Sequence, residues 1–159
     1  MGWGEACAEA GLLEASMVAK KRKAAAKVPA IRITMVMPVA PAKVFKALTD
    51  SKAIRAWSGA PGRVGAKIGG PFRMWDGWNT GRVLARRAPS TLAYSWRKDS
   101  WPPDTKDSVV RWKLTKVAAG TKVSMVHARL PSMWEYRDHE GGWPRYFLKP
   151  MERYLKKRG

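Results

Sequence analysis

Apolar and polar residues take turns along most of this chain, and the period of the alternation names the elements. Ile31, Ile33, Met35 and Met37 alternate with Arg32, Thr34 and Val36. Period two predicts a strand with one buried face, ended by Pro38. Pro41 suits the first turn of a helix, on which Val44, Phe45 and Leu48 form an apolar stripe. Thr49-Asp50-Ser51 caps a second short helix, which buries Ile54 and Trp57 and stops at Ser58-Gly59. Glycine and proline joints follow at Pro61-Gly62 and Gly69-Gly70-Pro71. Phe72 to Trp75 and Asn79 to Arg87 then read as two strands around a hairpin signal, Asp76-Gly77.

Three more alternating runs come after the turn at Ala88-Pro89-Ser90. They are Leu92, Tyr94 and Trp96; then, past Trp101-Pro102-Pro103, Val110, Trp112 and Leu114; then, past Ala119-Gly120, Val123, Met125 and His127. Each has one greasy face and one basic or polar face, as meander strands do. Pro131 and a charged loop from Glu135 to Glu140 lead to Gly141-Gly142 and a final helix. Pro144 fits its first turn. Trp143, Phe147, Met151, Tyr154 and Leu155 share one stripe, and Pro150 within it predicts a kink. The order predicts an α+β fold. Two short helices follow the first strand, and a curved antiparallel sheet wraps around a long C-terminal helix, with a cavity between them.

The first 29 residues break the pattern. Lys20-Lys21-Arg22-Lys23, Lys27 and Pro29 sit in an Ala- and Gly-rich stretch. Like charges packed so closely repel, which predicts a disordered basic tail over 1–29 and a single domain over 30–159. Met17 is a second candidate start residue. Lysine and arginine total 31 against 12 acidic residues, a formal charge of +19. That excess predicts weak, sequence-blind attraction to polyanions, from a surface that includes Arg32, Arg97, Arg111, Lys113 and Lys122. The lone Cys7 forms no internal disulfide and no metal framework, which suits a cytoplasmic protein. No run is long enough for a membrane span.

Several short motifs fall in a familiar order. Ala42-Lys43-Val44-Phe45-Lys46-Ala47-Leu48-Thr49-Asp50 is followed by Ile54-Arg55-Ala56-Trp57 and Gly69-Gly70-Pro71-Phe72. Asp76-Gly77, Gly81-Arg82-Val83, Tyr94-Ser95-Trp96, Gly120-Thr121-Lys122-Val123 and Gly142-Trp143 complete the set. Over about residues 30 to 157 this resembles the activator of heat-shock-protein-90 ATPase homologue family, of the START-like or SRPBCC helix-grip superfamily. The resemblance implies a helix-grip fold with an apolar cavity, and either a small apolar or aromatic ligand or a chaperone or other protein partner.

No catalytic set can be read along the chain. The sequence holds two histidines; His127 lies on a greasy strand face. His139 stands with Asp138 and Glu140 in the charged loop, at no recognised metal spacing. No nucleophile–base–orienter arrangement and no dinucleotide-binding glycine loop appears, so neither catalytic residues nor a cofactor are assigned. The aromatic and sulfur side chains remain. Trp57 from the short helices, Phe72, Tyr94, Trp96, Trp112 and Met125 from the strands, and Trp143, Phe147 and Met151 from the last helix form the expected ligand-binding set, with His127 as a polar member. Phe72 and Trp75, three apart on one strand, should face opposite ways. The expected function is therefore hydrophobic-ligand binding, with protein interaction and polyanion binding as alternatives.

Overall fold

The computed structural model of the chain describes residues 27–158; the predicted tail falls almost wholly outside them. Strand β1 (Ile31–Met37) leads into helices α1 (Pro41–Thr49) and α2 (Ser51–Ser58). Pro41 opens α1, and the Asp50 carboxylate accepts from the Ala53 N–H at 3.0 Å to cap α2. Then come β2 (Arg63–Val64), β3 (Pro71–Met74), β4 (Asn79–Arg87), β5 (Thr91–Lys98), β6 (Ser108–Val117) and β7 (Gly120–Ala128). The strands form one antiparallel sheet in the order β1-β7-β6-β5-β4-β3-β2. Register puts Tyr94 beside Val110, Trp112 beside Met125, and Val110 beside His127. All of them are buried, so one face of the sheet is the core wall, as the alternation predicts.

The chain closes with a helix that differs from expectation. It begins ten residues earlier, as α3 (Met133–Gly142), where a charged loop was predicted. Its cap explains why. Ser132 accepts from the Glu135 N–H at 3.1 Å, an N-cap bond, and Ser-x-x-Glu is the sequence signature of a helix start; the Glu135 carboxylate itself turns to Lys98 and Trp101. Pro144 is consequently interior rather than first-turn. The helix continues through a wide π segment, Trp143–Leu148, into α4 (Lys149–Arg158), with helical dihedrals at both joins. The Lys149 N–H reaches back five residues to the Pro144 carbonyl. Two facts account for the wide turn. An α turn would drive the Pro150 ring against the Tyr146 carbonyl. And Trp143, Phe147, Met151 and Leu155 are spaced by four, which overshoots an α turn; one wide turn keeps them on the same face. All four are buried.

Two corrections concern the second half of the sheet. The two-residue strand β2 was read as loop, since a single buried residue, Val64, carries no period. The expected strand through Trp75 stops at Met74, and Trp75 belongs to a tight turn, Trp75–Gly77. Gly77 has φ +94°, the left-handed geometry glycine tolerates, but Trp75 (+47°) and Asp76 (+56°) share it. For a residue as bulky as Trp75 this conformation is strained. Phe72 and Trp75 therefore do not face opposite ways: both rings reach the same aromatic cluster.

Candidate functional site

Between the Trp75–Gly77 turn and the C-terminal helix lies a cleft of about 430 Å³. Trp75 and Trp78 form one wall, Trp96 the floor, and Gly142, Trp143, Tyr146 and Phe147 the other wall, with Asp138 and His139 completing the lining. Sheet, turn and helix each supply rings, so the site depends on the whole fold. Trp75 packs edge-on against Trp78, Trp96 and Phe147 at 5.8, 6.1 and 6.1 Å, contacts that hold its strained backbone in place. Trp78 and Tyr146 are exposed at the mouth.

Of the residues expected at the site, Trp96, Trp143 and Phe147 line the cleft. The rest are packed behind it. Phe72 stacks on Tyr94 at 3.8 Å, and the Trp112 indole donates to the Tyr94 hydroxyl at 2.9 Å. Burial pushes the Tyr94 phenol well above its ordinary range. Trp57 donates to the Ala47 carbonyl and lies against Phe147. Met125, His127 and Met151 are buried. Sequence reasoning passed over Trp78 and Tyr146, set Trp75 aside as facing away from Phe72, and placed His139 in a charged loop.

The two histidines position the two central indoles. Trp143 Nε1 donates to His127 Nδ1 at 3.0 Å, and Trp96 Nε1 donates to His139 Nε2 at 3.1 Å. An indole N–H is donor only, so these bonds fix both tautomers. His127 then donates from Nε2 to Ser108 Oγ at 2.8 Å, and that hydroxyl donates to the Trp96 carbonyl. His139 donates from Nδ1 to the Glu135 carbonyl at 2.7 Å. All four ring nitrogens are thus engaged. The rings lie 5.1 Å apart. Burial lowers the pKa of both, His127 furthest, and His139 adds to the lowering of His127, while Glu135 and Asp138 partly offset the lowering of His139.

That arrangement predicts a pH response. With folded pKa values below the unfolded value near 6.5, the unfolded chain binds more protons as pH falls. Stability should hold above about pH 7 and decline as pH drops through 6.5, with His127 contributing the larger share of the loss. Urea unfolding at a series of pH values measures it. A profile that stays flat from pH 7 to 5 contradicts the assigned neutral pair.

Behind the cleft mouth, Glu135, Asp138 and His139 bring candidate ligand atoms within 4.8 Å of one another. The buried Lys98 ammonium lies among them, 3.3 Å from Glu135 and 3.6 Å from Asp138. Trp101 donates to Glu135 at 2.7 Å. The carboxylates are therefore committed to protein partners, and the cluster reads as a polar anchor tying β5 to α3.

A curved antiparallel sheet closed over a long C-terminal helix, with a ring-lined cleft between them, defines a helix-grip protein. Comparison with known proteins agrees. Residues 38–156 match the family described as Activator of Hsp90 ATPase homolog 1-like protein, and the chain belongs to that family. It is 27% identical over 125 residues to the mouse (Mus musculus) Activator of 90 kDa heat shock protein ATPase homolog 1, covering 77% of this chain and 36% of that one. It thus spans little more than a third of that relative's length. Among solved structures, an HSP90 activator from Plasmodium falciparum superposes with a TM-score of 0.72 at 24% identity, covering 80% of this chain and 96% of that one. A protein from Mesorhizobium loti gives 0.71 at 26%, with 82% and 99% covered. No described helix is long and apolar enough to cross a membrane.

Proposed function

We propose that this domain binds a flat, apolar small molecule in the aromatic cleft. The observation that carries the reading is the combination of an open, ring-lined volume with indoles held in fixed orientation by buried histidines. Its size falls in the range of small-molecule pockets. Fixed rings lose little entropy when a flat ligand stacks on them. The Trp96, Trp143 and His139 ring nitrogens are already engaged and Asp138 is paired with Lys98, so recognition by the inner lining rests on shape and stacking. The domain then acts as a carrier or sensor, with no acid–base step assigned to His127 or His139.

Gly142 supplies the test. It lines the cleft in helical geometry, and an added Cβ would meet only Tyr146 at 3.7 Å. Gly142→Leu should therefore fold, with a helix propensity gain of about 1 kcal/mol, while its side chain fills the cleft. Phenylnaphthylamine fluorescence should rise with the natural protein and fail to rise with the variant. Equal binding by both proteins would place the probe elsewhere and reject the reading. A second reading, a protein partner related to the chaperone named for the mouse relative, is supported by the exposed Trp78 and Tyr146. It is favoured if the natural protein binds no apolar probe but stimulates that chaperone's ATPase.

A further inference from the structure

The outer face of the sheet takes no part in the cleft, and its charge is one-sided. None of the seven strands contains an aspartate or glutamate. Register sets Arg63 beside Arg73, and Thr80 between Arg73 and Arg97. A second row joins Arg32 to Arg111 through Val126, ending at Ala93 and Ala85. A third joins Lys113 to Arg87 through Thr91. Every one of these cations except the half-buried Arg97 is exposed. The one carboxylate reaching a cation of these rows, among the described residues, is Asp107, just before β6, at 3.0 Å from Arg97.

Arg63 and Arg73 face each other on adjacent strands, about 4.8 Å apart, and Arg111 and Lys113 are two residues apart on the same face of β6, both separations inside the Debye length of about 8 Å at physiological salt. Neighbouring cations on this face therefore repel, and like charges across a strand pair destabilise a sheet. Interspersed acids would have relieved that repulsion at no cost to solubility. We propose that this face binds the phosphate backbone of double-helical nucleic acid without reading its sequence. Arginine dominates the face, and its planar fork matches a phosphate in two bonds. Thr80, between Arg73 and Arg97, and Thr91, between Lys113 and Arg87, add hydroxyl donors. No aromatic residue points outward among the rows, so the face lacks the stacking platform of a single-strand binder. The exposed aromatic anchors that a lipid surface would take up, Trp78 and Tyr146, stand at the cleft instead.

The test is fluorescence anisotropy of the full chain with a labelled mixed-sequence duplex of about 20 base pairs, across about 50 to 200 mM salt. Affinity should fall about a thousandfold over that range if about six phosphates are engaged. The double variant Arg111→Glu with Lys113→Glu should weaken binding at low salt by about tenfold or more and flatten the salt slope by about two. Lys43→Glu with Lys52→Glu, on α1 and α2, makes the same change in net charge and should alter affinity only a few-fold. Melting temperatures of all variants check that each is folded. The proposal is overturned if the α1 and α2 variant costs as much as the sheet variant. It is equally overturned if Lys20→Gln, Lys21→Gln, Arg22→Gln and Lys23→Gln together cost more. Tighter binding to single strands or to phosphatidylserine vesicles than to the duplex would also overturn it, as would no binding at low salt.

Discussion

Gly81→Ala is expected to cost about 3 kcal/mol or more and to leave little folded protein near body temperature. Gly81 lies on β4 where the backbone of β5 crosses closest. A Cβ added there would stand 1.9 Å from the Ser95 carbonyl oxygen and 2.6 Å from its carbon, whereas real Cβ contacts begin near 3.0 Å. Both obstacles are backbone, so no rotamer change relieves them. The strands must part, which breaks the Arg82 N–H to Ser95 Oγ bond at 2.8 Å and disturbs Tyr94 and Trp96 on the same strand. Overpacking of this kind costs 1 to 3 kcal/mol in forgiving cores, roughly, and more where backbone is the obstacle. Thermal unfolding by circular dichroism reads the effect. A variant that melts with the natural protein would show that β4 and β5 are less closely apposed than described.

Trp143→Ala should be comparably severe, about 3 to 5 kcal/mol, and should abolish binding of a flat probe. The indole is 3% exposed and touches Trp96, Trp112, His127 and Phe147. Its loss opens a void beside the cleft and leaves His127 Nδ1 without its donor. Trp143→Phe separates the two effects. It keeps most of the ring volume, so much of the packing should return, yet the unpartnered imidazole nitrogen still costs about 1 to 3 kcal/mol. His127 should then protonate more readily, because its lone pair is no longer held. Denaturant unfolding of both variants at pH 7.5 and 5.5 provides the measurement. If Trp143→Phe matched the natural protein at both values, the indole–imidazole bond would have no role in stability.

The sheet was legible because the inner face of its longer strands repeats every second residue, in β1 from Ile31 to Met37 and in β5 to β7 from Leu92 through His127. The order of elements around Trp57 and Phe147 followed from helical stripes of the same clarity. What escaped has two causes: a local cap outweighed by charge and glycine in the reading, and a backbone conformation that tertiary packing imposes. Glu135 to Glu140 is charged and is followed by two glycines, which favours a loop, but the Ser132 N-cap with Glu135 three residues on was present and was the signal to use. Once α3 forms, His139 must turn inward, and Lys98 finds Glu135. Trp75 could not be placed because a positive φ at tryptophan is visible in no pattern of residue types. The cleft residues on that turn were unreadable for the same reason.

The π segment bears on how such a cleft changes between relatives. A π turn is an α helix that has taken in one extra residue while the flanking turns stay in register. Here α4 packs on α1 and α2 and α3 is anchored through Lys98, so an extra residue between them is taken up within a single turn. The buried stripe stays where it is, and only the residues at the mouth, Gly142 and Tyr146, shift their aim. Chain length at this one point thus reshapes the cleft while leaving the scaffold untouched, a change that no substitution of a wall residue makes.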